Sequence, residues 1–111
     1  MDAFTQGYIE AALWVFELDG LGVDLPPDLR AQAEEDCRDF QEANAETLGT
    51  VCAGRADWAQ AGQDFYLTRE RHGAGFWDGD WPYPAGRVLT EAAHAYGEWT
   101  EFTAWAIEED I

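Results

Sequence analysis

Carboxylates dominate the side chains of this sequence that are able to do chemistry. Asp and Glu together number 23 against six Arg, and the formal net charge at pH 7 is −17. Four of the carboxylates follow one another at spacings of four, three and four residues: Glu35, Asp39, Glu42 and Glu46. This spacing places side chains on one face of an α-helix, so it predicts a row of negative charge about 16 Å long.

Two further acids and only two bases lie close to this row in the sequence. Glu34 and Asp36 broaden the negative face, while Arg30 and Arg38 offset it. Like charges at such spacing repel one another by about 0.2–0.5 kcal/mol per pair. Folding alone therefore favours interleaved bases, and their scarcity favours a binding surface. The alternative interpretation is that the negative charge only keeps a small protein soluble.

Side chains of the common nucleophilic mechanisms are scarce. The sequence contains neither Ser nor Lys, which excludes Ser-based triads, Schiff-base chemistry and the lysine of a phosphate loop. Cys37 and Cys52 stand outside any Cys-x-x-Cys pattern, and we expect both thiols to be reduced and unreactive. The expectation is therefore a binding protein and not an enzyme.

Two His residues and one Asp-containing loop are the candidates for a metal site. Neither His72 nor His94 has another His or Cys at ligand spacing. Asp78-Gly79-Asp80 is similar to the start of a calcium loop, but Leu89 stands at the twelfth position, which requires a carboxylate. We expect no metal and no cofactor. A metal-assisted hydrolase built on this loop and His72 is the enzymatic alternative.

Helical patterns are clearest in three segments. Apolar residues at three-and-four spacing predict a first helix over residues 4–18. Pro26 and Pro27 signal the start of a second helix, which we expect to reach residue 48. A third helix is expected to begin near Ala85 and to stop at Gly97, because Gly commonly follows the end of a helix.

Strand-like patterns occupy two other segments. Residues 54–63 are interpreted as a connection, and the aromatic residues and turn residues that follow predict a β-hairpin over residues 64–78. Residues 99–107 alternate with a period of two, which predicts a third strand. The expected fold is a single α+β domain over residues 1–111, of order α-α-β-β-α-β. In it the helices pack on one face of a small three-stranded, mostly antiparallel sheet.

The distribution of charge restricts the partners of the chain. Residues 1–56 hold twelve acids against three Arg, and residues 57–111 hold eleven against three. A surface negative throughout repels nucleic acid and anionic lipid and attracts basic proteins. No apolar run approaches the roughly 20 residues that span a bilayer, and no signal-peptide pattern is found. We expect a cytoplasmic protein with a basic protein partner, without direct contact to nucleic acid or membrane.

Two further surfaces are candidates for partner binding. One is the aromatic loop around residues 81–84, together with the acids that precede it, although its aromatic side chains have the alternative role of covering one end of the core. The other is the acidic end of the chain. The candidate partner-binding residues are Glu34, Glu35, Asp39, Glu42, Glu46, Asp78, Asp80, Trp81, Glu108, Glu109 and Asp110.

Three blocks of the sequence resemble a family of small acidic proteins encoded by bacteriophages and prophages. The blocks are residues 8–14, 63–78 and 89–98, so the resemblance spans nearly the whole chain, and the second block is the most specific. The family has no assigned enzymatic activity, so it implies no catalytic residue. Its members finish in a short strand and a Gly/Asp turn, whereas residues 99–105 of this chain are more aromatic.

The resemblance implies a role against bacterial defence. Small acidic phage proteins, among them anti-restriction proteins and several anti-CRISPR proteins, occupy DNA-binding surfaces as DNA mimics. Duplex DNA carries about one charge per 1.7 Å of axis, and a groove built for it accepts carboxylates at similar spacing. The expected function is therefore a phage-encoded inhibitor that binds a CRISPR effector complex or a restriction enzyme in the host cytoplasm. The alternative is a phage accessory protein that binds another basic host protein, such as a nucleoid or transcription factor.

Overall fold

Local signals set the bounds of the first helices of the chain, whose residues 1–109 are described by a computed structural model. Helix α1 (Ala3–Val15) begins at Asp2, whose carboxylate accepts a hydrogen bond from the Thr5 backbone at 2.8 Å. This bond satisfies one of the amides that a helix start leaves without an intrahelical partner. The observed helix thus lies close to the one predicted over residues 4–18.

The predicted second helix is present with an interruption. Helix α2 (Pro27–Ala43) begins at the predicted proline, and helix α3 (Ala45–Val51) follows after a single intervening residue, Asn44. The Phe40 carbonyl accepts hydrogen bonds from both the backbone N–H and the side-chain amide of Asn44, at 3.0 and 2.9 Å, which closes the end of α2. The helical run therefore extends beyond the predicted end at residue 48.

The predicted β-hairpin over residues 64–78 is wrong. Residues 55–69 form helix α4 (Arg55–Arg69), and the segment from residue 70 to residue 84 contains no strand. The second half of α4 is buried on nearly every side, including Phe65 and Tyr66. A helix enclosed in this way lacks the polar face that reveals a helical period in sequence. Its aromatic residues were consequently interpreted as a strand.

The predicted last strand is also wrong, while the third predicted helix is present. Helix α5 (Ala85–His94) begins at the predicted residue, and helix α6 (Thr100–Glu109) replaces the strand. Trp99, Phe102 and Ala106 are buried, and their spacing of three and four is helical. Within residues 1–109 the fold consists of six α-helices without a strand, so the α+β class with its three-stranded sheet is overturned.

Aromatic side chains form the centre of the core. Helix α4 packs most extensively on α1 and also contacts α5, while α2 packs on α1. Phe40 of α2 stacks on Phe65 of α4 with ring centroids 4.1 Å apart, and Tyr8 of α1 meets the Phe65 ring edge-on at 5.2 Å. Trp99 and Phe102 join α6 to the same cluster through Tyr8 and Tyr66. No helix of the described residues is both long and apolar enough to cross a membrane.

Two glycines allow α1 and α4 to approach each other at backbone distance. A Cβ placed on Gly62 would lie 1.8 Å from the carbonyl oxygen of Phe4, and one on Gly7 would lie 2.1 Å from that of Ala59. Both distances are far inside van der Waals contact, and the obstructing atoms are backbone atoms. The crossing of α1 and α4 therefore requires glycine at both positions.

Gly62→Ala should destabilise the fold by more than about 2 kcal/mol, because the helices must separate to admit the methyl group. The matched control is Gly49→Ala in α3, where an added Cβ meets no atom within 4 Å. That change should stabilise the protein by up to about 1 kcal/mol, since Ala favours helix. Urea unfolding followed by circular dichroism measures both values. Equal effects of the two substitutions would contradict the close helix contact.

Candidate functional site

The predicted row of carboxylates lies on the outer side of α2 and α3. We call its five residues the acidic face: all are exposed, four lie on α2 and the fifth lies in the first turn of α3. The opposite side of α2 is buried against the core. The members of the acidic face are Glu34, Glu35, Asp39, Glu42 and Glu46.

Two acids of α2 are bound to the rest of the fold. Asp36 forms an ion pair with Arg69 at 2.8 Å, and Asp39 accepts a short hydrogen bond from the Tyr96 hydroxyl. The four Glu residues of the acidic face make no side-chain hydrogen bond or ion pair within residues 1–109. The face therefore combines one carboxylate fixed by the fold with four that are available to a partner.

Counterions for the carboxylates are scarce over the whole described surface. Residues 1–109 contain two ion pairs, Arg69–Asp36 and the exposed Arg87–Glu91 pair at 3.3 Å. Arg30 and Arg38, the two bases of α2, are exposed and take part in neither pair. Most of the negative charge is consequently not balanced at short range, and it produces a negative potential that attracts cations.

The Arg69 side chain holds the acidic helix to the core. It is 5% exposed, and its guanidinium donates to the Gly97 carbonyl, the Tyr8 hydroxyl and the Asp36 carboxylate, each at 2.8 Å. It also lies over the rings of Phe65 and Tyr96, at 5.7 and 5.6 Å. Burial acts to lower the pKa of Arg69, but Tyr8 and Asp36 outweigh it and the pKa is raised. Sequence reasoning assigned Arg69 to a strand and missed this role.

Arg69→Met should destabilise the protein by about 3 kcal/mol or more, because it leaves the buried Tyr8 hydroxyl and the Asp36 carboxylate without their partner. Arg87→Met removes the exposed pair and should change the free energy of unfolding by less than about 0.5 kcal/mol. Thermal and urea unfolding of both variants test the difference. The assigned role of Arg69 fails if its replacement is as mild as that of Arg87.

The loop between α4 and α5 is fixed by specific contacts. The backbone N–H of Phe76, whose side chain is buried, donates to the Thr68 hydroxyl at 3.1 Å. Asp78 accepts a bond from the Gly75 backbone at 3.3 Å, and Trp81 donates from its indole to Asp64 at 2.6 Å. Trp81, proposed from sequence as a contact residue, is thus half-buried and bound to α4. Asp78 and Asp80 are exposed.

This loop carries two outward-facing aromatic residues: Tyr83, which lies in the loop that the sequence indicated, and Trp77, which sequence reasoning did not select. Trp77 is 54% exposed and Tyr83 is 82% exposed. They line a groove of about 410 Å³ between the loop and α5, which we call the aromatic groove. Its other principal lining residues are Phe76, Trp81, Arg87 and Glu91. No local sequence signal shows which residue of the Phe76–Trp77 pair faces solvent, because this depends on tertiary packing.

A second groove of about 580 Å³ lies beside α1 and α4. Its lining residues include Glu10, Trp14, Asp19, Leu67 and His72. His72 therefore lies in a groove wall and not in the predicted hairpin turn. Within residues 1–109 no three His, Cys, Asp or Glu side chains are close enough together to hold a metal ion.

The two cysteines are free and buried. Burial raises the pKa of Cys37 strongly, and it raises the pKa of Cys52 to about 11, with a further contribution from the charge of Asp57. Both thiols are therefore protonated at neutral pH. A protonated, buried thiol is a poor nucleophile and a poor metal ligand.

The acidic end of the chain extends α6. Glu108 and Glu109 are exposed in the last turn of this helix, while Asp110 lies outside the described residues. Carboxylates at the C-terminal end of a helix oppose its dipole, at a cost of about 0.3–1 kcal/mol each. These two acids therefore do not stabilise the helix that carries them.

Asp64 is a buried carboxylate of the described residues, and its pKa differs clearly from that of an unfolded Asp. Its side chain is buried beneath the loop, and this burial raises its pKa to about 6, supported by the charges of Asp78 and Asp80 and opposed by the bond from Trp81. An unfolded Asp titrates near pH 3.8. The folded state thus binds the proton more tightly, so this carboxyl group favours folding below pH 3.8 and loses that contribution as the pH rises through 6.

Asp64→Asn should remove this pH dependence, because an amide keeps an acceptor for the Trp81 indole without a charge. The variant should gain stability over the natural protein as the pH rises from 4 to 7, by on the order of 1–3 kcal/mol. Urea unfolding across this pH range provides the measurement. Parallel pH profiles of the two proteins would show that Asp64 does not titrate as described.

The described residues offer non-covalent recognition through carboxylates and aromatic rings. Comparison with models of known protein families, with curated proteins and with solved structures finds no match for this chain. The acidic face carries exposed carboxylates, and the aromatic groove carries the exposed rings of Trp77 and Tyr83. Both chemistries suit a cationic partner.

Proposed function

We propose that this protein is a phage-encoded inhibitor that covers the DNA-binding surface of a host defence protein with its acidic face. The observation that carries the proposal is the set of exposed carboxylates on α2 and α3 without a counterion in the described chain. The resemblance to small acidic phage proteins supports the choice of partner. That partner is a CRISPR effector complex or a restriction enzyme in the host cytoplasm, as for anti-CRISPR and anti-restriction proteins.

The charge density of the acidic face is comparable with that of a nucleic acid strand. The four carboxylates that lie on α2 extend over eight residue steps, or about 12 Å of helix axis, which gives roughly one charge per 4 Å. One strand of duplex DNA carries about one charge per 3.4 Å of axis. A cationic groove that contacts successive phosphates is therefore able to contact successive carboxylates of this face.

The acidic face is held in place before any partner arrives. Leu29, Ala33, Cys37 and Phe40 bury the opposite side of α2. The Arg69–Asp36 ion pair and the Tyr96–Asp39 hydrogen bond attach the same helix to α4 and to the end of α5. Because the backbone is ordered in advance, association adds no cost for ordering α2 to the loss of translational and rotational freedom and the ordering of the Glu side chains.

The test reverses two charges of the acidic face, in the variant Glu35→Arg/Glu42→Arg. These residues are exposed and lack side-chain partners within residues 1–109, whereas reversal of Asp39 would also remove the bond from Tyr96. Attractions become repulsions, so binding should weaken by about 3 kcal/mol or more, which is over a hundredfold. The thermal midpoint should stay level or rise slightly, because like-charge crowding is relieved.

The control variant Glu10→Arg/Asp24→Arg changes the net charge equally at exposed positions outside α2 and α3. The measurements are phage plating efficiency on hosts with and without an active defence system, and competition with DNA for the purified defence complex. The control should inhibit like the natural protein, with binding that falls steeply as salt rises. Equal inhibition by both variants would remove the acidic face from the mechanism. Capture of a nucleoid or transcription factor instead would establish the accessory function.

A further inference from the structure

The backbone around the aromatic groove is held in place by contacts with α4 and α5. Its floor is the buried Phe76, and its α5 wall comes close enough that a Cβ on Gly86 would lie 2.8 Å from the Phe76 carbonyl oxygen. The bonds from Trp81 to Asp64 and from Phe76 to Thr68 fix the loop on α4. The exposed rings of Trp77 and Tyr83 are therefore presented by a supported backbone.

The exposure of Trp77 is unfavourable for the isolated protein. Burial of a large apolar side chain stabilises a fold by about 1.5–3 kcal/mol, and Trp77 leaves more than half of its surface in water. Exposed aromatic residues beside a groove of this size are typical of binding sites, where Trp and Tyr contribute most of the affinity. The groove thus has the composition of a contact surface.

The charge around the groove selects its occupant. Asp78 and Asp80 are exposed on either side of Gly79, which lines the groove, and Glu91 lies on the α5 wall. Arg87 is the one base among the lining residues, and it is already paired with Glu91. Aromatic faces attract cations, and carboxylates beside them add an ion pair. Glu91 is the acid among the lining residues, and Asp78 and Asp80 adjoin the lining residue Gly79 in the chain, so this region of the surface is negative and disfavours anionic ligands.

We infer that the aromatic groove binds an arginine side chain of the basic protein partner. A guanidinium is planar, so it stacks on Trp or Tyr rings while its N–H groups bind a neighbouring carboxylate. Lysine carries a compact charge that does not stack in this way. The inference rests on the proposed function for the basic nature of the partner, but it assigns a second contact that is separate from the acidic face.

The experiment uses a short peptide with blocked termini whose one charged side chain is an arginine, and the same peptide with citrulline in its place. Citrulline has the shape of arginine without the charge. Titration of the ¹⁵N-labelled protein is followed through the indole N–H signals of its Trp residues. The arginine peptide should shift the Trp77 signal to saturation, and the citrulline peptide should bind at least fivefold more weakly.

Three variants locate the site. Trp77→Ala should weaken binding of the arginine peptide fivefold or more, while Trp14→Ala, which removes a similarly exposed Trp from the other groove, should leave it unchanged. Arg87→Gln should strengthen binding, because it removes the competing cation and frees Glu91. Circular dichroism melting confirms that each variant is folded.

Each result has a defined meaning. Equal binding of the citrulline peptide, or weaker binding by Arg87→Gln, would overturn the inference in favour of an apolar or anionic occupant. Equal losses of affinity for the arginine peptide with Trp77→Ala and Trp14→Ala would show that the peptide binds non-specifically, and would overturn the inference. If the groove does not bind the arginine peptide but inhibition still depends on Glu35 and Glu42, the proposed function stands and this inference is overturned. If the groove binds the peptide but inhibition does not depend on Glu35 and Glu42, the inference stands and the proposed function is overturned.

Discussion

The buried guanidinium of Arg69 is the interaction on which the arrangement of the helices depends. It is the point where α4, α1, α2 and the segment after α5 meet, through Tyr8, Asp36 and the Gly97 carbonyl. A cation in this position is stable only where hydrogen bonds and an opposite charge replace the water that it has lost. The ion pair with Asp36 therefore adds to the apolar residues of α2 that face the core, and the acidic face lies on the opposite, exposed side of this helix.

The distribution of polar groups follows from the same constraint. Among residues 1–109 every buried side-chain nitrogen and oxygen has a hydrogen-bond partner, so the interior is fully satisfied with very few bases. Four of the six Arg residues are exposed and take part in neither ion pair: Arg30, Arg38, Arg55 and Arg71. Apart from Asp36 and Glu91, the carboxylates of the described residues are therefore not neutralised by ion pairs. Aromatic packing forms the centre of the core, and most of the surface charge remains unpaired.

The sequence allowed the amphipathic helices to be predicted, and it misled in α4 and α6, where no helical period of apolar residues is visible. Helices α1, α2 and α5 each keep a polar side, so their apolar residues repeat visibly and their starts at Pro27 and Ala85 were located. Helix α4 is enclosed, and in α6 the apolar residues Ala104, Trp105 and Ile107 fill the positions between the buried ones, which imitates a period of two.

The candidate site divides in a similar way. The exposed acids of α2 could be located because their spacing is a local property of one helix. The contacts of Arg69 join residues up to 61 positions apart, and the orientation of Trp77 depends on where its neighbour Phe76 is anchored. Such features are set by tertiary packing, and no local pattern encodes them. The identity of a binding partner is even further from the local sequence.

The contact of α1 with α4 at Gly7 and Gly62 has a consequence for the motions of the protein. Where two helices touch through their peptide groups, neither is able to open its hydrogen bonds without separating from the other. Amide protons in the middle of both helices should therefore exchange with solvent only through global unfolding, as one cooperative unit. The loop that carries the aromatic groove is attached to this unit by hydrogen bonds to Thr68 and Asp64. The loop itself is therefore the part of the groove that is able to open while α1 and α4, whose amide protons exchange most slowly, stay together.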